Sequence, residues 1–277
     1  MRVLAPIAAL VTATCLAAMP VHAEVDVPSL PTPGGFSVTP SVGTAFTVGG
    51  DFVKSGNEAI SGSGTFGGVS VSGTGTISVN SKSFNDVYDT PVQLGISGNY
   101  GLTNRDEVSG SFRWLHADGK TFDAGTVGFN GTINGVGVSA SSPFQARFDD
   151  YNEFGLGGGY KHFFDTPSPS FHPYLGAALG VDYTDSINVD LSANGTTIAN
   201  GVNFYGAGWT WDAGLAAGFR YDVAPSFALG LETGIRYVGD LRSDHTDLHG
   251  DGGTIDSVNN GGDRWDIPLL LALTAKF

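Results

Sequence analysis

The residues best placed to do chemistry are charged side chains that recur at every second or fourth position of otherwise apolar segments. In the segment 227–240, Glu232 and Arg236 share one parity, whereas Leu231 and Ile235 have the other. Side chains of a β-strand alternate between its two faces, so this spacing puts charge on one face and apolar groups on the other. Buried charges must be paired. We therefore predict an internal network of paired charges made of Glu107, Arg113, Glu153, Lys161, Asp212, Arg220, Glu232, Arg236, Arg264 and Asp266.

Three histidines outside the acidic loop and the signal segment are candidate acid–base groups. His116, His162 and His172 each lie at an end of a predicted strand. A nucleophilic site needs a base hydrogen-bonded to a nucleophile and oriented by a third group. No His-x-Ser pair occurs on any predicted strand. We predict no catalytic residue, no cofactor and no enzymatic activity.

The segment 240–263 is a candidate cation site. Flexible loops with several carboxylates suit hard cations, and histidine favours transition metals. The spacing matches no EF-hand, so we predict a solvated acidic loop and no dedicated metal site. The candidate ligands are Asp240, Asp244, His245, Asp247, His249, Asp251, Asp256 and Asp263.

The elements that position these residues are strands long enough to cross a bilayer. In 264–277 the odd positions are apolar, with Trp265 near one end and Phe277 at the other. A tilted spanning strand needs roughly 9–11 residues, and aromatic residues favour its interfacial ends. A buried edge strand of a soluble sandwich is the alternative for this stretch. The same alternation predicts eight strands at about 36–52, 91–102, 107–116, 147–164, 171–184, 204–222, 227–240 and 264–277.

The connections between these strands alternate between short and long. They are short after the second, fourth and sixth strands, and the long ones are 54–89, 117–145, 185–203 and 241–263. Short periplasmic turns and longer outer loops are typical of membrane barrels, whereas a soluble sandwich has no reason to place every long loop at one end. We predict an all-β fold, an eight-stranded antiparallel up-and-down transmembrane barrel.

The long connections contain their own turn signals. Asn-Gly pairs, which favour hairpin turns, stand at 130–131, 134–135, 194–195 and 200–201. For 54–89 we expect a long outer loop with hairpin character rather than a separate domain. Pro268 has no N–H to donate, so we expect a bulge or a missing hydrogen bond there. The predicted membrane girdle is Trp114, Tyr160, Trp209, Trp211, Tyr221, Tyr237, Trp265 and Phe277.

The amino terminus and the charge balance set the compartment and exclude one class of partner. Residues 1–23 have the positive start, apolar stretch and small-residue end of a secretory signal, and 24–35 is a proline-rich periplasmic lead-in. The only cysteine, Cys15, falls in the signal, so no disulfide is expected. A formal net charge of −14 argues against nucleic acid as a partner.

Two glycine-rich stretches carry a resemblance to a known family. They are FGLGGGYKHFF at 154–164 and HPYLGAALGVDY at 172–183, within a pattern that runs from Phe36 to Phe277. This pattern resembles the small eight-stranded outer-membrane barrels of the OmpA-type and opacity-protein superfamily. The resemblance implies the bacterial outer membrane, contact with its lipid and lipopolysaccharide, and recognition of the last strand, ending in Phe277, by the barrel-assembly machinery. It also implies that the four long loops meet an extracellular ligand.

Three functions are compatible with these features. The first is a structural or surface-interaction protein whose lumen is plugged by paired charges, because an eight-stranded barrel is just wide enough to be filled by its own side chains. The second is a narrow, porin-like ion channel. A lipid-modifying barrel enzyme is a remote third.

Overall fold

The computed structural model of the chain describes residues 31–66, 69–243 and 258–277. This part of the chain is built almost entirely of antiparallel strands, as the period-two alternation predicts. One short helix, α1 (Phe84–Val87), lies among them. The strands are β1 (Phe36–Gly49), β2 (Gly56–Phe66), β3 (Val69–Val79), β4 (Val92–Gly101), β5 (Asp106–Ala117), β6 (Thr121–Ile133), β7 (Val136–Phe148), β8 (Tyr151–Phe163), β9 (Phe171–Thr184), β10 (Ile187–Ala193), β11 (Thr196–Tyr205), β12 (Gly208–Ala224), β13 (Phe227–Val238) and β14 (Arg264–Lys276).

Eight of the strands close into a barrel, which confirms the predicted fold class. Their order around the ring is β1, β14, β13, β12, β9, β8, β5 and β4, and every neighbouring pair is antiparallel. The first and last strands pair directly, for example Val42 with Leu271. The ring therefore has no open edge, as a sheet in lipid requires.

The three long connections within the described residues are not loops. Residues 54–89, 117–145 and 185–203 contribute hairpins that assemble into one sheet in the order β11, β10, β7, β6, β3, β2, which we call the outer sheet. Each hairpin continues the two barrel strands that flank it. We call this end of the barrel the outer end and the opposite end, with the short connections, the turn end. The hairpin character expected for 54–89 is found. In 117–145 and 185–203 only the turn signals were recognised and the strands were missed, because these Gly-, Ser- and Thr-rich segments show little apolar alternation, although their backbones still pair.

Several predicted strand limits were wrong because the alternation continues from one element into the next. The expected strand 147–164 is two elements, because β7 ends at Phe148 and β8 begins at Tyr151. Likewise, 204–222 joins the end of β11 to β12, which begins only at Gly208. In each case a barrel strand meets a strand of the outer sheet, and the alternation continues across the junction.

Only two of the four Asn-Gly pairs form hairpin turns. Asn134 (φ 50°) and Gly135 (φ 79°) join β6 to β7, and Asn194 (φ 49°) and Gly195 (φ 76°) join β10 to β11. These positive φ values are those of type I′ turns, which asparagine and glycine tolerate best. The pairs at 130–131 and 200–201 lie inside β6 and β11.

The apolar core lies at the junction of barrel and outer sheet rather than inside the barrel. Phe52, at most 2% exposed, packs edge-to-face against Tyr88, Phe148 and Tyr205 at ring-centroid distances of 5.1–5.2 Å. Such aromatic pairs stabilise beyond the area they bury. This aromatic cluster closes the outer end of the barrel.

The outer surface of the barrel wall is a belt of exposed apolar side chains. Leu271 is 63% exposed, Trp211 55% and Ile235 43%. A continuous band of this kind would be costly in water and is the lipid-facing surface of a membrane barrel. Further members of the belt are Val42, Ile96, Leu156, Leu175, Leu179, Leu215 and Leu229.

Pro268 interrupts one ladder without moving its register. On one side it pairs with Ala45 of β1. On the other, the pairing of β13 with β14 stops after Thr233–Leu269 and resumes at Arg236–Asp266 with the register unchanged. The second of the two expected outcomes, missing pairing, is found there. A bulge is found instead in β1, between Thr47 and Gly49.

The terminal segments are only partly described. The predicted signal, 1–23, and most of the lead-in, 24–35, lie outside the described residues. Within the lead-in, the N–H of Gly34 donates to the carbonyl of Gly101 over 2.9 Å. No helix in the described ranges has the length and apolar character to span a membrane.

Candidate functional site

The charged residues on the inner faces of the barrel form two ion-pair networks at different heights. The upper network lies near the outer end and is centred on Glu153, which is fully buried on β8. Glu153 bonds Arg264 of β14, on the opposite side of the ring, and lies 3.4 Å from Arg236 of β13. Arg236 and Arg264 also bind Asp266, over 2.8 and 3.1 Å. One carboxylate thus holds strands from both halves of the barrel.

A second carboxylate pair extends the upper network across the ring. The guanidinium of Arg113 on β5 lies 2.5 Å from Asp182 and 3.0 Å from Asp212. Asp182 is fully buried and Asp212 is 5% exposed. Charge-assisted bonds of this kind are among the strongest in proteins. The upper network therefore connects β5, β8, β9, β12, β13 and β14.

The lower network lies nearer the turn end. Arg220 on β12 holds Glu107 on β5 through two parallel bonds of 2.7 and 2.6 Å. Lys161 bonds Glu232 over 2.5 Å, and the hydroxyl of Tyr174 donates to the same carboxylate over 2.8 Å. The two-pronged geometry fixes the guanidinium plane, so the lumen is blocked at this level by a rigid pair.

Glycines on neighbouring strands make room for these large side chains. At Gly218 an added Cβ would lie 2.7 Å from the ring of Tyr174. At Gly155 it would overlap the carboxylate of Asp182 and the guanidinium of Arg113. Such close approach is one reason for glycine inside a strand. The glycine-rich stretches of β8 and β9 thus have a packing role.

Between the two networks the lumen contains a small cavity of about 170 Å³. Its inward-facing walls are mostly serine, glycine and alanine, with Gln93 and Leu270 among them and charge only at its upper and lower ends. It has room for several water molecules. The lining includes Ser41, Gln93, Ser97, Ser109, Ser111, Gly159 and Gly176, with Arg113, Lys161 and Glu232.

Above the upper network the aromatic cluster and α1 form a lid over the lumen. Phe84 of α1 packs on Tyr151 at 5.1 Å, and the guanidinium of Arg264 lies 5.2 Å from both rings. A cation over aromatic faces is attracted by the ring quadrupole. The helix is also tied to β1, because the Asn85 side chain donates to the Thr47 carbonyl over 2.6 Å.

Burial perturbs the titration of two tyrosines in this lid. Tyr88 has its pKa raised well above its ordinary value, chiefly because ionisation in an apolar core is costly, with nearby Tyr151 and Asp149 adding to the effect. The pKa of Tyr205 is also raised, first by burial and then by Asp240. The Tyr205 hydroxyl donates to the Phe52 carbonyl over 2.7 Å. Both phenols are neutral at ordinary pH.

The structure brings all ten predicted network residues into the two networks. Sequence reasoning missed their partners Asp182, Tyr174, Tyr151 and Thr47. Asp182 has the inward parity of β9 and could have been found from it. The other three could not have been found, because Tyr151 and Thr47 lie near strand ends and an inward-facing tyrosine such as Tyr174 is usually a core residue. Thr47 donates to Asp266 over 2.7 Å and Tyr151 to Glu153 over 2.7 Å.

The eight predicted girdle aromatics all project from the outer surface of the barrel wall. Tyr237 packs between Trp211 and Trp265 at 5.2 and 5.0 Å, near the outer end. Phe277, 74% exposed, lies 6.4 Å from Phe36 at the turn end. Trp114, Trp209, Trp211, Tyr237 and Trp265 lie towards the outer end, and Tyr160, Tyr221 and Phe277 towards the turn end.

The three candidate histidines lie at the ends of the barrel, each beside a carboxylate. His162 lies 2.8 Å from Asp106, and His172 lies 3.0 Å from Asp222. His116 lies at the outer end, 3.5 Å from Asp118. Of the predicted acidic loop, Asp240 and Asp263 are described. Its other candidate ligands, Asp244, His245, Asp247, His249, Asp251 and Asp256, lie outside the described residues.

A closed antiparallel barrel with an apolar exterior and a charged interior is the β-architecture that spans a bilayer. The belt of exposed leucines, the terminal aromatics and the internal networks all meet this description. The chain is therefore a β-barrel protein of the bacterial outer membrane.

The chain shows similarity to known proteins only among solved structures. No sequence-family profile matches the chain, and no curated protein does. Among solved structures, Neisserial surface protein A is similar over 87% of this chain and 97% of its own, with 15% identity and a TM-score of 0.41. The outer membrane protein OprG from Pseudomonas aeruginosa is similar over 90% and 98%, with 14% identity and a TM-score of 0.39. Ail, the attachment invasion locus protein of Yersinia pestis, is similar over 89% and 100%, with 11% identity and a TM-score of 0.36.

Proposed function

We propose that this outer-membrane barrel is a closed structural and surface-interaction protein. The observation that carries the proposal is the obstruction of the lumen at three levels. The Glu107–Arg220 pair blocks it near the turn end, the Glu153 network blocks it higher up, and the aromatic lid covers the outer end. A barrel filled in this way has no path for a solute of appreciable size.

The outer sheet is the proposed contact surface. It projects beyond the barrel and is built mostly of small and polar residues, with exposed apolar side chains such as Val136 and Ile198 at its hairpins. Connecting segments held on a rigid scaffold are where binding residues concentrate. In this proposal the sheet meets an extracellular ligand and the belt meets membrane lipid and lipopolysaccharide. Residues 264–277, ending in Phe277, carry the signal for the assembly machinery.

Conductance in planar bilayers tests the closed state. The refolded protein is expected to give no steady current, with at most sporadic openings. A variant with Glu107, Arg220, Glu153 and Arg264 all changed to Ala removes the central ion pair of each network and leaves the lid in place. It should therefore open more often than the unmodified protein, provided that it keeps heat-modifiable mobility on an unboiled gel. Steady conductance from the unmodified protein would contradict the proposal.

Exposure of the outer sheet on intact cells tests the other half of the proposal. Added protease should trim the hairpins of the outer sheet, while the barrel keeps its heat-modifiable mobility because its own turns are periplasmic. Cleavage that requires disrupted cells would show that the sheet faces inward.

A narrow ion channel is the second candidate, and the internal cavity favours it. The cavity lies between Arg113 above and the Lys161–Glu232 pair below. Water there would leave the two networks and the aromatic lid as the barriers to an ion. Steady, ion-selective current that is abolished by Glu232→Gln or Arg236→Gln would establish this function.

We further propose that the protein has no enzymatic activity. Of the described histidines, His116 lies nearest the outer end, and its imidazole contacts Asn152 and Asp118 rather than a hydroxyl nucleophile in the described part of the chain. Incubation with lipid A should leave the lipid unmodified. Turnover that disappears in His116→Ala would overturn this proposal.

A further inference from the structure

The outer rim of the barrel brings one histidine and two aspartates together on adjacent strands. His116 is on β5, Asp118 follows the end of that strand, and Asp150 immediately precedes β8. One ligand atom from each residue can be chosen so that all three lie within 4.8 Å of one another. We call His116, Asp118 and Asp150 the rim triad. We propose that the rim triad binds a divalent transition-metal ion of the Zn²⁺ type, although the sequence predicted no metal site.

The histidine is held with one specific nitrogen available. His116 and Asn152 are directly paired across β5 and β8, and the Nδ1 of His116 lies 3.0 Å from the Oδ1 of Asn152. An amide oxygen can only accept, so Nδ1 carries the proton and Nε2 keeps its lone pair. Metal-binding histidines are oriented in the same way, by a partner that is not itself a ligand.

Nε2 faces Asp118, and one ligand atom of Asp150 lies within 4.8 Å of both other residues. It lies 3.5 Å from the Oδ1 of Asp118. Zinc bonds of about 2.1 Å in a tetrahedral arrangement separate neighbouring ligand atoms by roughly 3.4 Å. A separation of at most 4.8 Å therefore needs to close by no more than about 1.4 Å, which rotation of the exposed Asp118 and Asp150 side chains allows. Asp150 is already placed by its bond from the Gly119 N–H, 3.1 Å.

The charge at the rim also favours a cation. Two carboxylates and a neutral imidazole leave a net negative site, and the neighbouring Lys120 is turned towards Asp89 (3.9 Å) and the Asn85 carbonyl (2.6 Å). One nitrogen and two oxygens suit a borderline ion better than Ca²⁺ or Mg²⁺, which take oxygen ligands. With three protein ligands and exposed aspartates, the ion would keep open positions for water.

A nearby tryptophan provides a direct readout. The ring of Trp114 stacks on His116, with centroids 5.7 Å apart and an interplanar angle of 16°. Bound Co²⁺, being paramagnetic, should quench Trp114 fluorescence, and Zn²⁺ should reverse the quenching by competition. In Trp114→Phe most of the quenching should disappear while calorimetric Zn²⁺ binding remains. Ca²⁺ should not compete.

The experiment measures Zn²⁺ affinity of the full-length barrel in detergent, with heat-modifiable mobility as the check on folding. His116→Ala should lower the affinity at least tenfold, and Asp118→Asn and Asp150→Asn should each lower it. Asn152→Ala should weaken binding roughly 10–100-fold while leaving all three ligands in place. His162→Ala is the matched control, because it removes a histidine beside a single carboxylate at the other end of the barrel, and should leave the affinity unchanged.

Two results would overturn the proposal. One is the absence of saturable Zn²⁺ binding. The other is binding that persists in His116→Ala but is lost in His245→Ala/His249→Ala, which would move the ion to the acidic loop. Binding should weaken as the pH is lowered, because a metal ligand must be deprotonated.

Discussion

Arg264 and Glu153 form an ion pair across the full width of the barrel, since β14 and β8 lie on opposite sides of the eight-strand ring. Both side chains are almost completely buried, at 3% and 0% exposed. The Tyr151 hydroxyl makes a hydrogen bond to each partner of the pair. It accepts from Arg264 over 3.0 Å and donates to Glu153 over 2.7 Å. At this level the interior of the barrel is therefore held together by buried ion pairs rather than by apolar packing.

Glu153→Gln should destabilise the barrel by about 3–5 kcal/mol, because it leaves buried guanidinium groups without their counter-charge. Chemical unfolding in liposomes measures the change. Arg105→Gln is the control, since Arg105 and Asp165 form an exposed pair at 54% and 58% side-chain exposure and exposed pairs contribute little. Equal effects of the two substitutions would contradict a buried network.

Replacing Glu153 and Arg264 together by Gln and Met should cost less than the sum of the two single changes. Removing both charges leaves fewer unpaired groups than removing one. A double-mutant cycle on the same unfolding assay gives the coupling free energy. Strict additivity would show that the two side chains do not interact.

Gly218→Ala should destabilise the barrel by about 1–3 kcal/mol, because the added methyl meets the Leu231 carbonyl oxygen at 2.6 Å and the ring of Tyr174 at 2.7 Å and forces a shift in a packed lumen. Gly110→Ala is a matched control on β5, where an added Cβ has no heavy atom within 4 Å. Unfolding midpoints that move equally for both variants would mean that the lumen is not packed at Tyr174.

Alkaline pH should loosen the lid before the barrel. The pKa of Tyr88 is raised by burial, so folding favours the neutral phenol. The stabilisation is complete below the unfolded-state pKa of about 10 and is lost progressively as pH rises above it. Near-ultraviolet circular dichroism and protease sensitivity of the outer sheet should report this loss.

Tyr88→Phe should flatten this pH response without destabilising the protein at neutral pH. The Tyr88 hydroxyl is buried and has no hydrogen-bond partner among the described residues, so its removal leaves no group unpaired. Tyr205→Phe should lower the stability of the protein at neutral pH, because the hydrogen bond to the Phe52 carbonyl is lost. An unchanged alkaline transition in Tyr88→Phe would assign the titration to another group.

The barrel could be predicted from the sequence because lipid and lumen impose opposite chemistry on alternate residues. A slip of one residue in β13 would send Glu232 and Arg236 into lipid, so the pattern itself fixes the register. The outer sheet could not be predicted in the same way. Strand β2, GNEAISGSGTF, has small or polar residues on both faces, and nothing in its alternation distinguishes a paired strand from a loop.

The sequence assigns the network residues to the inner face of the barrel but does not identify their partners. Parity places Arg220 inward but does not say that it meets Glu107, more than a hundred residues away. That choice depends on the stagger of strands around the closed ring, which pairs neighbouring strands by register and sets the height of every residue. The rim triad depends in the same way on the pairing of His116 with Asn152.

Spin labels along β14 test the central claim, that apolar faces meet lipid while charged faces meet inside the barrel. Cys15 is the only cysteine, so single cysteines at positions 267–274 can be introduced in a Cys15→Ser background and labelled in liposomes. Collisions with oxygen, which dissolves in lipid, should be frequent at Ile267, Leu269, Leu271 and Leu273 and rare at Leu270, Ala272 and Thr274. Equal oxygen accessibility along the strand, or the reverse alternation, would contradict the account.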